Sequence, residues 1–566
     1  MHVPLMEESW RRIDSWLAAH APRTFASLRP PAAQEAISAA AAELGVEFPA
    51  DLVAYLRHHD GVSPGERGFV SPEEGGFTFP GFEPYTLAQI LSSGRSQQES
   101  WARYEGDPLM EDFWHHDFVP FARDSSADGL FVDCRRGESF GAVGRKREAE
   151  TVSFGEWGSL AAFLEQVADS LEGGTEMTVG LSYVPVVDDG MLLWEFAPER
   201  RSEPRSLFDR ALAEPVIAAP HRTASDATPN ETWPSGYDNF CLTFAQALDE
   251  AELLRRFGAL PETRRPRWRE EAESPDQPQN PGVLLPVVRV GTHGDWAFGI
   301  EEGRHVLEGT RDEVLRRVSR GTRAVSVGYW DTYGTISVSL FDNGELVTRY
   351  DTRSVVPHGP RDPFEVFPGL PPRDEGEEHT PEQRRERLMA ACDAVVRRCG
   401  IPLLPPGLDG ELDSARILPL LPDNNFGYPE HNFRTPVPDR FTSLVDAATP
   451  ERLRRVLAAQ MSALATETGL DTYDEVTAAL SLLSGEDHHG VTDDSALDLR
   501  LRRVHAESQV IFADWKDRSV WQDRAMAARA LADALNLPAR EALGLVVGCR
   551  QSPHWRQEFR KQLTDD

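Results

Sequence analysis

Apolar residues near the N-terminus recur at helical spacing. Met6, Trp10, Ile13 and Leu17 lie three or four positions apart, with Trp16 on the flank of the same face; this is the repeat of a helix that buries one stripe. A second run, Ile37, Ala41 and Leu44, stops at Gly45, where a helix can close in the left-handed conformation. Pro49 fits the start of the next helix, Tyr55 continues its apolar side, and Asp60-Gly61 is a strong turn dipeptide. The period then shortens. Residues 118–122, 130–133 and 141–144 read as strands, the first two joined by a turn over 124–129, and Leu160, Phe163, Leu164 and Val167 mark a closing helix over 159–171. Residues 183–187 and Trp194 flank an Asp188-Asp189-Gly190 turn and read as an appended hairpin. Helices, a meander and a closing helix make an α+β order.

The pattern divides the rest of the chain. A polar stretch over 198–231 reads as a linker. Phe240, Phe244, Leu248, Leu253, Leu254 and Phe257 predict a helix-rich entry to a second α+β domain over 232–370. Strands are expected there near 284–290, 296–301, 323–328 and 335–341, and Asp342-Asn343-Gly344-Glu345 is a hairpin turn returning as a strand over 345–350. A proline-bearing acidic linker, 371–380, precedes Thr380-Pro381-Glu382-Gln383, a capping box with proline in the first turn. Residues 381–566 read as a mainly helical domain, with a proline-rich loop over 401–438. The first domain is placed at 1–197.

The ordered features of the first domain resemble the Smi/Knr superfamily (SUKH). They are the segment 44–52 with Tyr55, Asp60 and Gly61 behind a Trp-bearing helix, then Asp124, Asp128-Gly129, Asp133 and the closing helix. The resemblance makes Trp10, Gly45, Pro49, Tyr55, Asp60, Gly61 and Asp133 framework positions. Bacterial members are largely immunity proteins that neutralise toxins by direct binding; fungal members include regulators of cell-wall synthesis. Gly294-Asp295-Trp296, a helix near 312–320 and the Asp-Asn-Gly hairpin resemble a bacterial domain of unknown function, which implies no activity.

Composition narrows the function classes. With 59 Lys and Arg against 92 Asp and Glu, the formal charge is −33. A nucleic-acid groove needs clustered cations, so no nucleic-acid partner is expected. An acidic surface either steers basic partners or serves solubility alone. No apolar run is long enough for a membrane span. Glu7, Glu8, Arg11 and Arg12 break the pattern of a secretory signal, so a cytoplasmic location is expected. Five cysteines with no CxxC pair make no disulfide framework, and Cys392 and Cys399 read as small hydrophobes on one helix face. Histidines pair at 58–59, 115–116 and 488–489, but adjacent residues point apart on a helix or strand. Asp124, Asp128 and Asp133 lack calcium-loop spacing. No metal set, cofactor or catalytic motif emerges, and the protein is expected not to be an enzyme.

The candidate partner face lies in 71–120, where nine acids stand against two arginines with aromatics between them. Glu73, Glu74, Glu83, Asp112 and Asp117 would steer a basic partner and Tyr85 and Trp114 would seat it. In the other reading the rings are core and the acids a solvated rim. The resemblance implies a cytoplasmic binding protein with toxin immunity as its specific role, and the acidic balance would suit a basic toxin domain. The alternative is a multidomain regulatory scaffold whose first domain docks one protein and whose helical tail docks another.

Overall fold

A computed structural model describes residues 2–63, 72–102, 113–124, 128–147, 150–197, 239–272, 285–303, 307–353, 359–374, 379–401, 408, 410–422, 437–483, 485, 490–510 and 515–564. The chain forms two compact units. The first comprises 1–200 with 551–561, and the second 201–550 with 562–566. Both combine helices with antiparallel sheets, the α+β class expected. The linker expected at 198–231 and the His488-His489 pair lie outside the described residues.

The first unit opens with α1 (His2–His20), α2 (Pro22–Phe25), α3 (Gln34–Leu44) and α4 (Ala50–His58). Gly45 closes α3 at φ 71° and Pro49 is the N-cap of α4. α5 (Leu87–Ala102) and α6 (Leu160–Gly173) complete its helices. Five strands form an antiparallel sheet in chain order: β1 (Glu83–Pro84), β2 (Phe118–Arg123), β3 (Gly129–Asp133), β4 (Val143–Lys146) and β5 (Ser153–Trp157). β6 (Met177–Val179), β7 (Leu181–Asp188) and β8 (Met191–Phe196) make a separate three-stranded sheet, so the expected hairpin carries one strand more.

Side chains alternate across a strand, and apart from the irregularity at 120–122 of β2 the five-stranded sheet divides them by face. Val119, Phe121, Leu130, Val132 and Val143 join Trp10, Ile13, Leu52, Tyr55, Phe163 and Leu164 in one core. Phe118 and Phe131 turn to the opposite face and cluster with Trp114. Trp10 is 1% exposed, with its ring centroid 5.6 Å from Tyr55 and 6.1 Å from Phe77.

Asp60-Gly61 forms the tight connection expected, with a further duty. Asp60 Oδ1 accepts the Leu87 N–H at 2.6 Å and so satisfies an orphan donor at the start of α5. Gly61 has φ 65°, and a Cβ there would lie 2.6 Å from backbone atoms of Tyr85 and Thr86. Asp133 is fully buried and accepts hydrogen bonds from the Arg135 backbone N–H at 2.9 Å and its guanidinium at 2.7 Å.

The second unit corrects three expectations. β9 (Asn239–Gln246) is a strand, and the helix Glu250–Phe257 begins only after it. Phe240, Leu242 and Phe244 repeat at period two, the strand signal, and the helical reading skipped Leu242. Its eight-stranded antiparallel sheet includes β10 (Arg265–Arg267), β11 (Val287–His293), β12 (Trp296–Glu302), β13 (Arg323–Trp330), β14 (Thr335–Asp342), β15 (Glu345–Asp351) and β16 (Leu412–Arg416), ordered β10-β16-β11-β12-β9-β13-β14-β15. The hairpin Asp342–Glu345 is present, with Asn343 and Gly344 at positive φ.

Residues 371–380 do not separate two domains, which is the second correction. Helix Pro381–Cys399 places Leu388, Ala391, Cys392 and Val395 in the core with Phe244, Phe298 and Val327, and β16 lies inside the sheet between β10 and β11. Leu253, Phe257, Val314 and Val318 cover the other face over Val288, Val290 and Ala297. Third, residues 551–561 group with the first unit and not with the helical tail.

Arginines replace apolar contacts at several inner positions. Arg289 is fully buried, donates to Glu302 at 2.7 Å and to the carbonyls of Leu408 and Gly410 at 2.8 and 3.0 Å. Arg502, on helix Ala496–Val510, donates to the carbonyls of Gly258 and Leu418.

Two outcomes test this packing. Trp10→Ala should cost about 3–5 kcal/mol, read as at least a hundredfold faster hydrogen exchange in peptides from α1 and α4; unchanged exchange would remove the ring from the core. Glu302→Ala, by leaving a buried guanidinium without its carboxylate, should destabilise the second unit by about 3–5 kcal/mol. A thermal midpoint equal to the parent's would show that pair to be dispensable.

Candidate functional site

The structure disperses the expected partner face. Tyr85 and Trp114 are buried, at 8% and 6% exposure, and Glu83 is buried beside Arg123 at 3.5 Å. These are corrections. Tyr85 joins Phe77, Phe79 and Phe82 in the main core, and Trp114 packs with Phe118 and Phe131 on the opposite face of the sheet. Glu74 is exposed in the turn Pro72–Glu74, which also holds Glu73. Asp117 sits half-buried beside His115 and His116, and Asp112 lies outside the described residues.

What the second face does present is a cleft of about 250 Å³ between α5 and strands β2 to β4. Ser93 and Gln97 of α5 form one wall, and Tyr85 and Trp114 contribute ring surface. Phe131 lies across β4 because position 144 is glycine; a Cβ there would meet its ring at 2.4 Å. Arg123 and Lys146 bring positive charge. The Arg123 guanidinium is 5.7 Å from the Tyr85 ring centroid, and Lys146 Nζ is 5.4 Å from that of Trp114 and 3.1 Å from Gln97 Oε1. Asp128 lies on the same lining. A space of this size with aromatic walls and fixed donors suits one or two side chains of a protein partner. Arg123 and Lys146 were not singled out from sequence because the charge reading stopped at residue 120; the signal was Arg145-Lys146-Arg147 in so acidic a chain.

A second polar assembly lies against Trp10. His58 Nε2 is 2.8 Å from Asp14 Oδ2, and His59 Nε2 is 3.0 Å from Asp14 Oδ1. The expectation that adjacent histidines point apart fails here for a local reason. His58 is the last residue of α4, while His59 is extended at φ −140° and ψ 136°, so the break in backbone geometry turns both rings to one carboxylate. Trp10 stacks on His58 at 5.6 Å and meets His59 edge-on at 5.1 Å. Burial acts to raise the Asp14 carboxyl, but the hydrogen bonds from both histidines outweigh it and hold it at about 2. His115, His116 and Asp117 form a looser group; His116 is 56% exposed and His115 stands 3.8 Å from the carboxylate. Burial, followed by the neighbouring His116, pulls the His115 imidazole below its ordinary value.

Comparison with known proteins matches two stretches of the chain. Residues 31–166 match the SMI1 / KNR4 family (SUKH-1), and residues 225–391 match a family of unknown function, DUF6461. The latter range ends inside helix Pro381–Cys399, consistent with that helix belonging to the second unit. Among curated proteins, a KNR4/SMI1 homolog of Eremothecium gossypii is 43% identical over 53 residues, 9% of this chain and 8% of its own length. A KNR4/SMI1 homolog of Kluyveromyces lactis is 34% identical over 88 residues, 16% of each chain. The similarity thus spans less than a fifth of either fungal protein. Residues 31–166, with the cleft and the two histidines inside them, match the SMI1 / KNR4 family (SUKH-1), and residues 225–391 of the same multidomain chain match DUF6461.

Proposed function

We propose that this is a non-catalytic, cytoplasmic protein-binding protein whose SUKH domain neutralises a toxin by direct binding. The family match at 31–166 carries the reading, because the family includes immunity proteins. The cleft supports it: Arg123 and Lys146 offer charged donors to a carboxylate or carbonyl of the bound segment. The formal charge of −33 suits a basic partner at longer range. The two effects divide the work, with the overall field raising the encounter rate and the cleft setting residence time. A regulatory scaffold is the second reading, favoured by a second unit larger than neutralisation requires.

Pull-down from the native host with the intact chain as bait, followed by co-expression with the recovered protein, separates the two. Immunity requires a basic, growth-inhibiting partner whose toxicity the chain abolishes. Ser93→Trp, which fills the cleft, should lose that protection with the melting temperature unchanged. Association should slow as salt shortens the roughly 8–10 Å screening length. Recovery of signalling or envelope proteins with no rescue of growth would favour the scaffold.

A further inference from the structure

We propose that Asp14, His58 and His59 form a binding site for one divalent transition-metal ion of the zinc class. The inference stands on the geometry of the cluster and is independent of the toxin reading.

The hydrogen bonds of His59 carry the argument. Its Nδ1 lies 2.8 Å from the carbonyl oxygen of Arg29. A carbonyl only accepts, so Nδ1 holds the proton, and in the neutral ring Nε2 is then a lone pair. In that neutral form the lone pair faces a carboxylate oxygen at 3.0 Å, whereas the doubly protonated ring donates to it. Two acceptors at that distance require a cation between them, either a second proton or a metal. An imidazole whose far nitrogen donates to a backbone carbonyl is the usual form of a metal ligand, since the second bond fixes both tautomer and ring orientation. His58 supplies a second imidazole nitrogen to the same carboxylate, and the three ligand atoms lie within 4.8 Å of one another.

The surroundings favour a positive ion. The cluster sits at the C-terminal end of α4, where the unsatisfied carbonyls place negative potential. Trp10 packs against both rings and limits their rotation. Two imidazoles and one carboxylate form a donor set that zinc takes readily, with one position left to water. The side chains are 15–26% exposed, shielded but reachable. Bound there, the ion would fasten the middle of α1 to the end of α4.

The test uses the full chain, stripped with chelator and titrated calorimetrically with zinc alone. One equivalent should bind and raise the melting temperature. Asp14→Asn and His58→Gln should each weaken binding at least about tenfold, while the double variant His115→Gln/His116→Gln, which removes the looser cluster, should retain it. Should the Asp14 or His58 variants unfold, cobalt(II) added to the double variant keeps the question open to measurement, because ligation by imidazole shows in its visible absorption spectrum. No saturable zinc binding, binding unchanged by His58→Gln, or binding and cobalt spectrum lost with His115 and His116 would each overturn the proposal.

Discussion

An indole ring removed from water has to be packed on both faces, and in the first unit Trp10 meets that requirement with two different kinds of neighbour. Tyr55 and Phe77 belong to the core beneath the sheet; His58 and His59 belong to the polar cluster around Asp14. The ring is therefore the boundary between a dry interior and a charged assembly. The indole packs on the two imidazoles that hold Asp14 and so shields their side of the cluster from water, where hydrogen bonds are stronger. Core and cluster depend on the same side chain, and neither can be altered without the other.

The second unit meets a different constraint. Its sheet is covered on both faces, yet several inner positions hold arginine. A buried guanidinium must be given acceptors, and those of Arg289 and Arg502 are largely main-chain carbonyls in segments distant along the chain. Each such side chain sews a loop or helix to the sheet. This is why the helical tail and the strands form one unit, although their compositions suggest two.

Much of the first unit was legible because its signals are local. Gly45, Pro49 and Gly61 mark backbone conformations that few other residues accept, and Met6, Trp10, Ile13 and Leu17 mark a buried stripe without reference to anything distant. The site was less legible. Charge and aromaticity in 71–120 say nothing of which sheet face a ring will cover: Tyr85 joins the main core, while Trp114 packs with Phe118 and Phe131 on the opposite face. The meeting of His58, His59 and Asp14 turns on one residue's departure from helical dihedrals, a detail below the resolution of periodicity. In the second unit the boundary placed at 371–380 failed because β16 returns to the sheet from far along the chain, and pairing partners at that separation leave no local trace.

The turn after α4 carries two assignments within four consecutive residues. His58 and His59 hold Asp14; Asp60 caps the start of α5, and Gly61 fits beneath Tyr85 and Thr86. α5 in turn supplies a wall of the cleft. The tetrapeptide is thus a splice joining two otherwise separate devices, and its evolution is doubly constrained. A lineage could redesign the cleft at its partly exposed positions Ser93, Gln97 and Lys146, since Ala122, Leu130 and Phe131 are buried in the packing, but not by redesigning the lip near Tyr85. There, every substitution tuned for a new partner must also leave the path of the histidines intact.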